Sequence, residues 1–136
     1  MDTEARQYLD GLNKRVASLA SSIHEIFVAD GCSSYVKTIY IGYDIGGDMV
    51  AALYGHADHV EVALAVSELN TSPLLVDASH LTWRTLPLSA IIKSKTELAE
   101  LKVLIADACD RVRKGQHDVD RDNEFFMKSR RERRGR

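Results

Sequence analysis

His56, Asp58 and His59, within the stretch "GHADH", carry side chains that commonly hold divalent metals. A zinc site needs three or four ordered ligands, and an H-x-x-H spacing in a turn assures no third. These three residues are the metal candidates, although aspartate and histidine in a turn ordinarily serve polarity and backbone hydrogen bonding. Asp44, Asp48, Asp58 and Asp77 could supply paired carboxylates for acid–base chemistry, yet all four fall in expected turns or loops. Cys109 stands beside Ala108 on an apolar stripe and reads as a small core residue. Cys32 lies in a turn with no histidine specified near it. The sequence contains no C-x-x-C, G-x-G-x-x-G, Walker-type loop, G-x-S-x-G or H-E-x-x-H. It therefore leads us to expect neither a catalytic residue nor a cofactor.

Recognition offers better candidates. The only tryptophan, Trp83, stands beside Arg84 in "HLTWRTLPLSAI". Read as a strand over 81–89, this stretch places the two side chains on opposite faces. The plain expectation is a packed Trp83 and a solvated Arg84. A sharper one follows from the layers below: two helices cover one face of a sheet, so the other must be wet or covered by a partner. Tyr40, Tyr54 and either Trp83 or Arg84 are the interaction candidates for that face, because aromatics and arginine are favoured in interface cores.

The net charge of −2 hides an asymmetry. Residues 116–136 hold seven basic and five acidic side chains, so this segment is +2 and the body −4. The basic group is Lys128, Arg130, Arg131, Arg133, Arg134 and Arg136. An acidic body does not suit a domain that wraps duplex DNA. Weak, salt-sensitive binding of nucleic acid through the tail is the form of that function the charges allow.

The elements that must position these residues follow from periodicity. Apolar residues at steps of three and four, from Ala5 through Leu9, Leu12 and Val16 to Phe27, predict one long amphipathic helix over 3–30. Gly31 is suited to end it. From Tyr35 the period becomes two, predicting a strand to Ile45, a Gly46–Gly47 turn and a returning strand to Tyr54. Val60 to Val66 alternate as the third strand, and 81–89 make the fourth. Ser94 to Glu97 has the S-x-x-E capping form, ahead of a helical stripe from Leu98 to Val112 that Gly115 ends.

The expected fold is α+β, in the order α-β-β-β-β-α. It is a four-stranded antiparallel meander with two long helices on one face. Residues 1–115 form the domain and 116–136 a charged, mobile tail. No apolar run approaches the roughly 18 residues of a membrane span. The polar, acidic opening "MDTEARQYLDG" reads as no export signal. The expectation is a cytoplasmic protein with reduced thiols.

The segments "VEVALAVSE", "HLTWRTLPLSA" and "KTELAELKVLIADACDRV", spanning roughly residues 39–112, resemble small bacterial α+β families. These are the YdhG-like and predicted-transport-protein domains and the YjbR-like family. The resemblance implies an α+β fold and a binding or accessory role, with no catalytic residues to carry over. The YjbR-like likeness implies a candidate DNA binder.

The expected function is a non-enzymatic binding or interaction domain that self-associates as a homodimer or takes a protein partner. The alternatives are a nucleic-acid accessory protein using the tail, and a small metal-binding protein or enzyme. Self-association follows from length. A 28-residue helix runs about 42 Å at 1.5 Å per residue, longer than the sheet beneath it, so Leu9 and Leu12 should need cover from a second copy; the alternative is a helix that breaks near Leu12 or Ser18 and folds its first segment back onto the domain.

Overall fold

The computed structural model describes residues 3–81 and 83–116. The tail candidates Lys128, Arg130, Arg131, Arg133, Arg134 and Arg136, and the expectation of a mobile tail, lie outside the described residues.

Where the apolar stripe predicts one helix there are two, α1 (Thr3–Asp10) and α2 (Lys14–Ala29). The cause is local. Asn13 is extended, and its side-chain oxygen accepts from Val16 N at 3.0 Å, the geometry of a helix N-cap. Gly11 precedes it, a poor residue for a helix interior. The stripe runs through the break unbroken because Leu9, Leu12 and Val16 keep helical spacing on both sides. Leu9 is buried within the chain, and Leu12 packs against the core at Gly55. The surplus apolar helix that argued for a dimer is therefore folded back onto its own domain.

Among the described residues the sheet has six strands where the sequence predicts four. They are β1 (Ser33–Val36), β2 (Ile41–Ile45), β3 (Asp48–Gly55), β4 (Val60–Leu64), β5 (Leu75–Asp77) and β6 (Leu88–Ile92). All pair antiparallel in the order β1-β2-β3-β4-β6-β5. The expected first strand is a hairpin, closed by Lys37 N donating to Tyr40 O at 2.9 Å. Gly46 and Gly47 both take positive φ, as the β2–β3 turn requires. The expected fourth strand begins later than its alternation suggests. Pro87 has no N–H to give a ladder, and the pairing starts immediately after it. Trp83 and Arg84 therefore lie in the β5–β6 loop, not on opposite faces of a strand.

A Glu97 capping box leads through a short 3₁₀ turn into α3 (Leu98–Arg113). The Glu97 carboxylate accepts from Lys93 N at 2.7 Å and Ser94 N at 3.1 Å. The class is α+β, with an antiparallel sheet of six strands and three α-helices among the described residues. No helix among the described residues is long and apolar enough to cross a membrane.

Cross-strand register sorts the two faces, since directly paired residues share a side. Tyr43, Ala51 and Leu64 lie in one row, and Ile41, Leu53, Val62 and Ala90 in the next. This face takes α2 and α3. Phe27 stacks on Tyr43 with ring centroids 4.0 Å apart, and His24 Nδ1 lies 2.7 Å from the Tyr43 hydroxyl. Cys32 and Cys109 are buried free thiols with sulfurs 3.5 Å apart. The contact with Cys109, together with burial, pushes the Cys32 thiol well above its ordinary value.

The opposite face carries a row of small residues, Gly42, Ala52, Ala63 and Ser89. Ala51 lies on the helix-covered face and Ala63 on this second one. Ala52, Ala63 and Ser89 are nonetheless fully buried. Their cover comes from the chain itself. Tyr35 lies so close over Gly42 that a Cβ there would sit 2.1 Å from its ring. The Ser89 hydroxyl is buried without a hydrogen-bond partner among the described residues. Ser89→Ala should therefore be neutral or stabilising by up to about 1 kcal/mol, because it removes an unsatisfied group. Chemical denaturation checks this; a loss above about 1 kcal/mol would show that the hydroxyl is bonded.

Candidate binding site

The second face gathers side chains that are far apart in sequence. Tyr54 on β3 projects from it beside its cross-strand partner Glu61 on β4. The Trp83 indole N–H donates to the Tyr54 hydroxyl at 2.9 Å. Tyr40 stands edge-on to Trp83, with centroids 5.4 Å apart, and lies 5.5 Å from Tyr54. Tyr35 meets Tyr40 edge-on at 6.3 Å. Such pairs contribute about 0.5–1.5 kcal/mol each beyond their area. Three interaction candidates, Tyr40, Tyr54 and Trp83, thus form one cluster, and Arg84 follows it in the same loop. Leu9 and Leu12 belong elsewhere, in the core around α1.

Burial acts on these phenols. It pushes Tyr35 up to about 12, with help from the neighbouring Tyr40. Burial also raises Tyr54, opposed by the Trp83 hydrogen bond. Tyr43, wholly enclosed, is raised furthest by the same cause. A raised phenol keeps its proton in the folded state after the unfolded chain has lost it. The linked stability is whole below about pH 10, the unfolded phenol value, and declines as pH rises through the folded values. Near-ultraviolet titration should show Tyr35 ionising close to pH 12 and Tyr43 only as the protein unfolds. A single transition of all five tyrosines near the ordinary value would contradict the packing.

Glu61 is the charged group the sequence analysis missed. It is 5% exposed on an otherwise apolar strand. Its Oε2 lies 2.6 Å from His80 Nε2 and its Oε1 3.4 Å from His56 Nε2. A buried carboxylate needs such partners. The contact ties the β5–β6 loop to the middle of the sheet. Strict alternation in "VEVAL" assigns Glu61 to a wet face. The signal against that is small: its neighbours on the same parity are alanines, which do not mark a solvated face.

The metal candidates sit at the β3–β4 turn. The His56 and His59 rings stack with centroids 4.4 Å apart. His59 Nδ1 lies 2.7 Å from Asp58 Oδ1, and this bond holds the Asp58 carboxyl below its usual range. His56 turns to Glu61 instead. Among the described residues no three His, Cys, Asp or Glu side chains are grouped to hold a metal ion.

Beyond Trp83 the loop walls a cleft of about 400 Å³, within the range of small-molecule sites. Its carbon surface comes from Trp83, Leu81 and Pro87. Its polar groups are Arg84, Glu68, Asp77 and Ser79. Asp77 Oδ1 accepts from Ser79 N at 2.6 Å, and the Ser79 hydroxyl and amide hold its carboxyl below the usual range. The indole N–H is already spent on Tyr54, so Trp83 offers the cleft only carbon surface. Searches for likeness matched no protein-family model, no curated protein and no solved structure to this chain.

Proposed function

We propose that this domain is a binding module that takes a small polar molecule in the cleft beside Trp83. The observation that carries the reading is the wall itself. A tryptophan at a cleft of small-molecule size is held in one orientation by Tyr54 and Tyr40. A rigid aromatic wall loses little entropy when a ligand lands on it. The contact of half-exposed His80 with buried Glu61 supports the reading, because it fixes the loop from below.

Trp83 is the only tryptophan, so emission excited beyond the tyrosine absorption band reports on this cleft alone. We expect a panel of amino acids, nucleotides, dicarboxylates, diamines and monosaccharides to contain a compound that shifts this emission saturably. At a hundredfold excess over Kd the same compound should add about 2.7 kcal/mol to stability. Calorimetry should show binding weakened at least about tenfold by Trp83→Ala, the scale of a central aromatic contact. A panel that leaves both emission and stability unchanged would overturn the proposal.

A further inference from the structure

The cleft carries charges of both signs that do not neutralise each other. Glu68 follows β4, Asp77 ends β5 and Arg84 lies in the β5–β6 loop, and all three line the same space. All three are exposed. Among the described residues no ion pair joins Arg84 to either carboxylate. The fold thus presents a guanidinium and two carboxylates to one cleft from three separate segments, with no ion pair joining them among the described residues.

A ligand with a single charge meets attraction from one side of such a cleft and repulsion from the other. A ligand with both charges meets attraction from both. The aromatic wall favours the same answer. A cation is drawn to the face of an indole, and Asp77, held ionised by Ser79, stands in the same lining. Arg84 supplies the planar fork that suits a carboxylate.

We propose that the ligand is a small zwitterion, a molecule carrying an ammonium and a carboxylate a few bonds apart, of which free α-amino acids are the simplest class. Arg84 takes the carboxylate; Asp77, Glu68 and Trp83 take the ammonium; Leu81 and Pro87 meet the side chain. This inference rests on the cleft being a ligand site, and the test separates the two claims.

Trp83 emission and calorimetry are followed with the twenty free amino acids and glycine betaine. The best-binding amino acid is then compared with its N-acetyl and carboxamide forms. We expect saturable binding by at least one free zwitterion, and at least about tenfold weaker binding by each blocked form, the loss of one charged contact. Arg84→Met should weaken the free amino acid about tenfold yet leave the carboxamide unchanged. Glu68→Gln with Asp77→Asn should do the converse, sparing the N-acetyl form. Blocked forms that bind as well as the free amino acid would overturn the zwitterion. So would binding by dicarboxylates, diamines, nucleotides or sugars alone, which leaves the cleft as a ligand site. No binding by any of these compounds removes both claims.

Discussion

Phe27→Ala is expected to cost about 3–5 kcal/mol of folding free energy, the range for deleting a buried aromatic ring. Phe27 has no exposed surface and stacks nearly parallel on Tyr43, which is also fully enclosed. The stack is the joint between α2 and the helix-covered face of β2. Removing one ring leaves a cavity that neither a helix held by its N-cap nor a paired strand can readily close. Neighbouring contacts allow the effect to be resolved. Tyr43→Phe keeps the stack but removes the hydroxyl beside His24, so it should cost only about 1–2 kcal/mol, the scale of a buried hydrogen bond. Phe27→Leu should fall between the two. For a chain of this size, the Phe27→Ala loss lowers Tm by roughly 10–20 °C. Urea denaturation with an unchanged slope would confirm that the loss is in native packing. A cost below about 1 kcal/mol would mean that α2 is not docked through this ring.

The residues differ in how plainly they announced their places. Turns and caps were readable, because Gly46–Gly47, Gly31, Gly115 and the Ser94–Glu97 box act within a few residues of chain. Strand segments in the middle of the sheet were readable for the same reason. The helix break at Gly11–Asn13 could be raised only as an alternative, from the excess of helix length over the sheet, because the apolar stripe continues across it and one asparagine side chain decides the matter. β5 was hidden because three residues with Ser72 and Pro73 just before them carry no period worth measuring. Its pairing comes from β6, some 13 residues later, and only tertiary structure supplies that.

The candidate site shows the same division. Tyr40, Tyr54 and Trp83 could be named from residue type, since large aromatics must lie against something. Their meeting could not be read from alternation, which put Trp83 and Arg84 on a strand. The loop that holds them is fixed by His80 on Glu61 and by Trp83 on Tyr54, contacts across 19 and 29 residues. No local pattern encodes either. Glu61 was misplaced by a rule that is usually sound: a charged residue in an alternating strand faces water. Here His80 from the β5–β6 loop and His56 from the β3–β4 turn meet it instead.

Leu9→Asp is expected to detach α1 from the domain and to cost about 3–4 kcal/mol. Leu9 is 4% exposed, so an aspartate in its place would be a buried charge with no partner. That penalty is several kcal/mol, but the chain has a cheaper response. Helix α1 is eight residues long, shorter than helices that persist alone in water. It can undock and melt, which releases the aspartate to solvent and limits the loss to the docking energy of α1. That energy is of the order of two buried leucine-sized side chains at about 1.5–3 kcal/mol each, less the entropy regained by the freed segment. Undocking has its own signature. Gly55 N donates to the Tyr8 hydroxyl at 3.0 Å, and Tyr8 donates in turn to Ile39 O at 2.8 Å. Amide exchange at Gly55 should therefore accelerate with that of 3–12, while amides in β4 and α3 keep their protection. The same substitution separates this reading from self-association through the first helix. If Leu9 covers a second copy, Leu9→Asp yields a folded monomer of undiminished stability from a dimer. If Leu9 covers its own sheet, oligomeric state is unchanged and stability falls. The packing of Leu9 in the core and of Leu12 on Gly55 sets the expectation on the second outcome.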